Sequence, residues 1–566
     1  YTPYTPYTPY TPSQTPLAIT NYKFRIIPTT YPKPRIMKKL FYPIGALLLC
    51  LVFTSSAFGQ RVVKIDASTD PATPTDIFPV IMGDTTATGE RTDNNTIYQL
   101  ENGQVYVTTG RMVNTSDWIL HIEAEDLNDL DNKPILTRRP NASGTYPDIG
   151  RPEGDVTLRN VWIISGERGP LEEHDWGRLR ISGAGSRVIV ENCIIEKERG
   201  GFLQFRADSI KCYVDGTIFR NGGNRRILQG NGRAVDARNF VIDTLIITNS
   251  VVHNIQDRFL RSQGATVPHN YIKIDHCTSF NTVGRHGHIQ LGRVVTAEIT
   301  NNLFINPIML GSSPAYTDEQ TQPDGDLHKV ITVDTLYANT QMTISNNNIF
   351  WTQDVLDYWA SVDSINAPGV LSELVKDNLG DDTTNAFFAE PLSLDSIPGT
   401  VLPYVQDIYA DPTATDMFDI IVEDVAVAGT GFDSGNLFDF SAFSTCYGVG
   451  TTSATASTSG GAIGAVSGCD FTTNLLTRPD QNGSLTVYPN PAVGVAHFEF
   501  ELAQAGEAQL EIYDLSGRRL AVMQAQPAPG RLQVLTWQVP GELKGGLYLA
   551  RLQAADEVRT VKFMVR

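Results

Sequence analysis

Two arginines three residues apart, Arg258 and Arg261, and two histidines two apart, His286 and His288, are the residues best suited to do chemistry in this chain. A base with adjacent cations is what proton abstraction next to a carboxylate requires: the base takes the proton and the cations stabilise the enolate. These residues fall in four short apolar segments, Phe202-Leu-Gln204-Phe-Arg206, Arg226-Ile-Leu-Gln229, Arg258-Phe-Leu-Arg261 and His286-Gly-His288-Ile-Gln290. Aligned on the apolar pair, Gln204, Gln229, Arg261 and Gln290 form one column, and Arg226 and Arg258 form another. Strand alternation puts a column on one face at about 4.8 Å per rung. The columns are three residues apart, so an ideal strand turns only one of them outward. Such donors suit the hydroxyls and carboxylates of an extended sugar chain. A merely solvated face is the plainer alternative.

Metal chemistry is less well provided for. His286 and His288, as zinc ligands, need a third from His253, His269 or Asp257. Asp257 and Asp275 are the carboxylates that would hold Ca²⁺, the one cofactor suggested. Glycoside hydrolysis needs a pair of carboxylates, and the four segments are poor in them.

What must position these residues is a sentence written seven times. It reads Val156-Thr-Leu-Arg-Asn160-Val-Trp-Ile, Val188-Ile-Val-Glu-Asn192-Cys-Ile-Ile and Cys212-Tyr-Val-Asp-Gly216-Thr-Ile-Phe. It continues with Leu245-Ile-Ile-Thr-Asn249-Ser-Val-Val, Ile272-Lys-Ile-Asp-His276-Cys-Thr-Ser, Ala297-Glu-Ile-Thr-Asn301-Asn-Leu-Phe and Met342-Thr-Ile-Ser-Asn346-Asn-Asn-Ile. The copies recur every 24 to 33 residues, with one wider gap before the last, which predicts a solenoid. The alternation is of period two, so the coil is β-structure. Asn at the corner tolerates a left-handed backbone, and stacked amides can bond one another. The expected fold is all-β: a right-handed parallel β-helix followed by a small antiparallel β-sandwich. A sandwich throughout would want tight hairpins every 8 to 12 residues, and these are missing.

The chain of 566 residues carries a net charge of −18, which argues against a nucleic-acid partner. Residues 151–310 nevertheless hold 20 Lys and Arg against 16 Asp and Glu, a mildly basic stretch on an acidic protein. Six cysteines exclude a disulfide scaffold. Cys193 and Cys277 follow corners three coils apart, about 14 Å, too far to bridge. With Cys212 they read as buried small apolar residues. Cys446 and Cys469 flank a Ser/Thr/Gly-rich loop and are the disulfide candidate.

Residues 1–36 open with Tyr-Thr-Pro triplets and read as a low-complexity extension, an over-extended start. Residues 37–59 have the basic, apolar and small-residue regions of a signal peptide ending at Gly59. Its apolar run is too short for a comfortable span, so no transmembrane segment is expected in the mature protein. Residues 60–76 read as a flexible lead-in and 77–475 as the β-helix, with a start at Ile77 to Leu136, helix near Val370 to Leu379 and a late cover. Residues 476–484 read as linker and 485–566 as the sandwich.

That last portion opens with Tyr488-Pro-Asn-Pro491 and contains Asp514-Leu-Ser-Gly517-Arg518, Gly546-Leu-Tyr548 and a terminal Lys562-Phe-Met-Val-Arg566. It resembles the type A C-terminal sorting domain of cargo of the type IX secretion system of Bacteroidetes. The resemblance implies that system as a partner, passage across the outer membrane, and a secreted or cell-surface location. The coils are similar to those of pectate-lyase-like β-helices. Ile274-Asp275-His276-Cys277 resembles a pectate lyase Ile-Asp-His segment, but the preceding Trp and the downstream Arg-x-Pro-x-x-Arg are missing, so no catalytic role is carried over. The resulting expectation is a protein that binds an acidic polysaccharide through Gln204, Arg206, Arg226, Gln229 and Gln290. Cleavage by β-elimination would use Arg258, Arg261, His286 and His288. The rival is a non-catalytic adhesin or glycan-binding rod.

Overall fold

The computed structural model describes residues 60–566 except 71, 166–178, 224–231, 285, 313–328, 363–364, 397–400, 411–443, 467, 470, 472–484, 501–507, 515–517, 526–532, 542, 555–556 and 566. The low-complexity extension, the signal peptide and the linker at 476–484 therefore lie outside the described residues. Three all-parallel sheets of ten, eleven and seven strands run through the body, their members following one another coil by coil. One coil shows the plan: Arg187–Glu191 in the first sheet, Ile194–Glu196 in the second, Gly201–Phe205 in the third, then Ile210–Asp215 back in the first. This is a parallel β-helix.

The repeated sentence makes the corner between the first two sheets. Asn160, Asn192, Gly216, Asn249, His276, Asn301 and Asn346 all take left-handed backbone, with φ between 49° and 58°. The residues just before them pair in register, Arg159 with Glu191, Glu191 with Asp215, Asp215 with Thr248, Thr248 with Asp275 and Asp275 with Thr300, so the corners pile up. At Gly216 a Cβ would lie 2.3 Å from the Asn192 Oδ1, so a side chain there would displace that amide. Two of these amides bond carboxylates, Asn249 Nδ2 donating to Asp215 Oδ1 at 2.8 Å and Asn301 Nδ2 to Asp275 Oδ1 at 2.7 Å, and Asn160 Nδ2 donates to the Asp126 and Asp129 carbonyls.

An amide ladder does exist, at the next corner. Lys197, Asn221, Asn254, Asn281 and Asn306 are left-handed there, with φ between 51° and 58°. Asn306 Nδ2 donates to Asn281 Oδ1 at 3.0 Å and Asn281 Nδ2 to Asn254 Oδ1 at 3.2 Å. Between the corners the alternating Val, Ile and Leu residues fill one continuous core, which also takes in Cys193, Cys212 and Cys277 as buried free thiols. Burial raises the Cys193 thiol to about 11 and that of Cys277 to about 12, leaving both inert at neutral pH.

The residues read as a flexible lead-in are instead the first rung: Val62–Ile65 pairs in parallel with Ile97–Leu100, and Thr75–Asp76 opens the second sheet. A short helix, Ile77–Met82, buries Ile77 and Ile81 in the core at this end. At the other end the helix Glu373–Leu379 does the same with Val375 and Leu379. Tyr447 and Ala454 pack on Phe280, Leu303, Ile305 and Phe350 of the second sheet, and Cys446 and Cys469, whose Cα atoms are 5.3 Å apart, form a disulfide in this cover.

The C-terminal portion is a seven-stranded β-unit. Its strands are ordered Arg519–Ala525, Ala508–Tyr513, Gly546–Ala554, Glu557–Val565, Leu485–Val493, Val495–Phe500, Gln533–Gln538. Pairings are antiparallel except for Ala492 with Val565. The Gly546-Leu-Tyr548 segment begins the longest hairpin of the unit, Gly546–Ala554 with Glu557–Val565. Phe563 sits at its centre, with ring centroids 5.3 Å from Phe498 and 6.0 Å from Trp537.

Candidate functional site

The third sheet gathers the charged and amide side chains. Its register sets Arg180, Gln204, Asp236, Arg261, Gln290 and Thr332 in one row, six coils long. Gln204, Arg261 and Gln290 thus share a column. Arg226 and Gln229 lie outside the described residues, and the strand their coil gives to this sheet is Arg233–Asp236. Asp236 therefore holds the place assigned to Gln229, and Arg233 pairs with Arg258 where Arg226 was expected. Arg-x-x-Asp and Arg-x-x-Arg carry the same spacing, and the turn at Gly232, φ 83°, precedes the first; that was the available signal.

The two columns meet instead of facing apart. Arg233 enters its four-residue strand directly from that turn, and its Nη1 lies 3.6 Å from Asp236 Oδ2. Its Nε donates to Asp257 Oδ2 at 2.6 Å. Asp257, wholly buried, lies through Oδ1 3.2 Å from Arg258 Nε and 2.9 Å from His286 Nδ1. Arg261 Nε lies 3.7 Å from Asp236 Oδ1. Arg258 donates to the Gln290 amide oxygen, and Gln290 Nε2 donates to Gln263 Oε1 at 2.6 Å. Three guanidinium groups thus face two carboxylates in a nearly closed cluster. Burial would raise the Asp257 pKa, but Arg258, Arg233 and His286 hold it well below 3.8. Burial, reinforced by Arg233, brings Arg261 down to about 9.

The two histidines part company. His286, its side chain 27 % exposed, belongs to the Asp257 cluster. His288 points into the coil interior, with ring centroids 6.0 Å from Phe259 and 5.6 Å from Phe304. Only Ile289–Gln290 of the expected His286–Gln290 strand is sheet, so the alternation that would align the pair is not imposed. Both His288 ring nitrogens lack a hydrogen-bond partner, and burial pushes its pKa down to about 3.

The other residues weighed as ligands are engaged elsewhere. His269 accepts the Ile242 N–H at Nδ1, 3.0 Å, so its proton is on Nε2, 2.7 Å from the Ser262 carbonyl. His253 is buried in the second sheet, in register with Arg220. Asp275 binds Thr300, Asn301 and His276 at the first corner. Among the described residues no three His, Cys, Asp or Glu side chains are grouped closely enough to hold a metal ion.

Toward the N-terminal coils the same face opens. Gly150 pairs with Leu179, so Arg151 stands beside Arg180 in the row. Arg206 and Arg238 lie two residues beyond row members Gln204 and Asp236, just past the ends of the strands Gly201–Phe205 and Arg233–Asp236. Arg151, Arg180 and Arg206 are half-buried, and Arg238 and Arg111 are exposed. Arg111 reaches Asp148 at 3.3 Å, and Arg180 Nε donates to Gln204 Oε1 at 3.2 Å. Burial lowers the Arg180 pKa, and Arg151, Arg206 and Arg111 lower it further, while Asp148 opposes them. Of these five only Arg206 stood out in the sequence, since Arg180 lies in a strand of only three residues and the others lie outside strands, so that no periodic pattern marks them.

Residues 486–566 match the family described as a secretion system C-terminal sorting domain. No curated protein matches the chain. The tail is a type IX sorting tail, which implies export and a secreted or cell-surface protein. Among the described residues no helix is long and apolar enough to cross a membrane.

Proposed function

We propose that this exported protein binds an acidic polysaccharide along the third-sheet face of its β-helix. The in-register row of Arg180, Gln204, Asp236, Arg261 and Gln290, in which two guanidinium groups and two amides outweigh one carboxylate, supports the reading. A row of guanidinium and amide donors with a surplus of positive charge matches a chain bearing regularly spaced carboxylates and hydroxyls. The Asp257–His286 pair is where such a chain would be cleaved. Asp257 holds the imidazole through Nδ1, as a carboxylate orients a catalytic histidine, and the arginines balance the substrate carboxylate. The imidazole would take the proton alpha to that carboxylate; the carbon–oxygen bond to the leaving sugar breaks, a carbon–carbon double bond forms, and the departing oxygen is protonated.

The test is incubation of the protein with pectate, alginate and chondroitin. Ultraviolet absorbance from unsaturated uronate ends, lost in Arg261→Ala, supports elimination. Binding without product, unaffected by chelators, supports the non-catalytic rod. That second reading is favoured by one observation: Arg233, Arg258 and Arg261 are buried and already face Asp236 and Asp257.

A further inference from the structure

We infer that Arg151, Arg180, Arg206 and Arg238 form a binding subsite for the carboxylates of a polyuronate chain lying along the axis of the coils, one guanidinium per coil. The inference rests on the reading above and names, within the third-sheet face, the part that makes first contact.

Position is the first argument. The four residues come from four consecutive coils of the third sheet, linked by the pairings of Gly150 with Leu179, Arg180 with Gln204, and Gln204 with Asp236. Backbone bonds tie the rungs at these points: Arg180 N–H to the Gly150 carbonyl at 3.0 Å and Arg206 N–H to the Ile181 carbonyl at 2.7 Å. The four residues therefore fall on successive coils about 4.8 Å apart along the axis, Arg151 and Arg180 in the row itself and Arg206 and Arg238 two residues past it.

Charge is the second. Among the described residues none of the four forms an ion pair, whereas Arg233, Arg258 and Arg261 farther along the same sheet all face carboxylates. Arg151 has, in addition, a buried Nε without a hydrogen-bond partner. Like charges held at neighbouring rungs repel each other, and an anionic polymer relieves that repulsion at every rung at once. Guanidinium is suited to this because its planar fork meets a carboxylate through two parallel hydrogen bonds. The buried Asp257 cluster farther along is closed by its own ion pairs and does not offer that fork.

The experiment measures binding of the protein to polygalacturonate, to oligogalacturonates of increasing length, to dextran sulfate and to neutral dextran. Support is binding to polygalacturonate that weakens with salt, rises with oligomer length until about four rings span the row, and falls on the order of tenfold or more in Arg151→Gln/Arg180→Gln. Arg206→Gln/Arg238→Gln, which changes only half-buried and exposed positions, must show the same loss, so that misfolding of the first variant cannot stand in for it. Undiminished binding in both double variants with loss in Arg261→Ala overturns this subsite and leaves the third-sheet reading intact. Equal binding to dextran sulfate overturns the assignment to carboxylates. No binding to any polyanion overturns the subsite and the proposed function together.

Discussion

Asn306 donates its side-chain amide to Asn281 across one coil, and Asn281 passes the same bond to Asn254. The backbone bends left-handed at all three, so one residue type meets two requirements at this corner. Asn281→Ala loses both: the left-handed bend costs about 1–2 kcal/mol and the broken buried bonds about 1–3 kcal/mol. Asn281→Gly loses only the bonds. In denaturant titrations glycine is expected to be the milder change by about 1–2 kcal/mol; equal destabilisation would mean the bend carries no strain.

Glu196 and Arg220 form a salt bridge at 2.6 Å with both side chains fully buried. Truncating Arg220 leaves the Glu196 carboxylate without that cation in a low-dielectric site. Arg220→Ala is expected to destabilise by about 3–5 kcal/mol, and Glu196→Gln/Arg220→Met by less than either single change. Additivity in a double-mutant cycle would show that the pair is not coupled.

His288 gives stability a dependence on mild acid. Its pKa is about 3 in the fold against an ordinary 6.5, so the native state binds fewer protons than the unfolded chain between those values. Stability is full above pH 6.5 and falls toward pH 3, by about 1.4 kcal/mol per pH unit for this group. His288→Leu fills the space between Phe259 and Phe304 without a titrating ring. The variant is expected to gain on the parent steadily as pH falls from 6 to 4 in thermal melts; parallel curves would contradict the burial of this imidazole.

The Cys446–Cys469 disulfide closes a 23-residue separation in the cover on Phe280, Leu303 and Ile305. Its removal is worth about 3 kcal/mol locally by loop closure. Cys446→Ser/Cys469→Ser is expected to admit protease near residues 444–471 and to raise binding of an apolar dye, while the circular dichroism of the coils is unchanged. Unaltered protection would mean that packing of Tyr447 and Ala454 alone holds the cover.

How much of this could be read from residues alone follows from how strongly each position is constrained. The first corner was legible because Asn192, Gly216 and Asn301 each stand between two apolar strands, and Gly and Asn are the residues that take that bend most readily. The second corner was not. Strands such as Ile194–Glu196 are three residues long, and Lys197 opens the column where Asn follows in later coils. The third sheet was half legible. Gln204, Arg261 and Gln290 fell into line on their apolar neighbours, but Arg226-Ile-Leu-Gln229 and Arg233-Ala-Val-Asp236 match that pattern equally well, and only the stacking chooses between them. That Asp257 would draw Arg233, Arg258 and His286 to itself depends on three coils meeting, which no local pattern reports.

In the three sheets each storey pairs with the one beneath and the one above, as the unbroken strand order records. Such a molecule can be shortened as a stack of plates is shortened. Excision of one whole repeat, cut between equivalent bends at Gly216 and Asn249, would close the column over the gap and lower its height by a single layer. A cut of the same length made out of phase would set apolar edges outward instead. The unit of inheritance for this architecture is therefore the full turn, and lineages of such proteins should differ in length by whole turns.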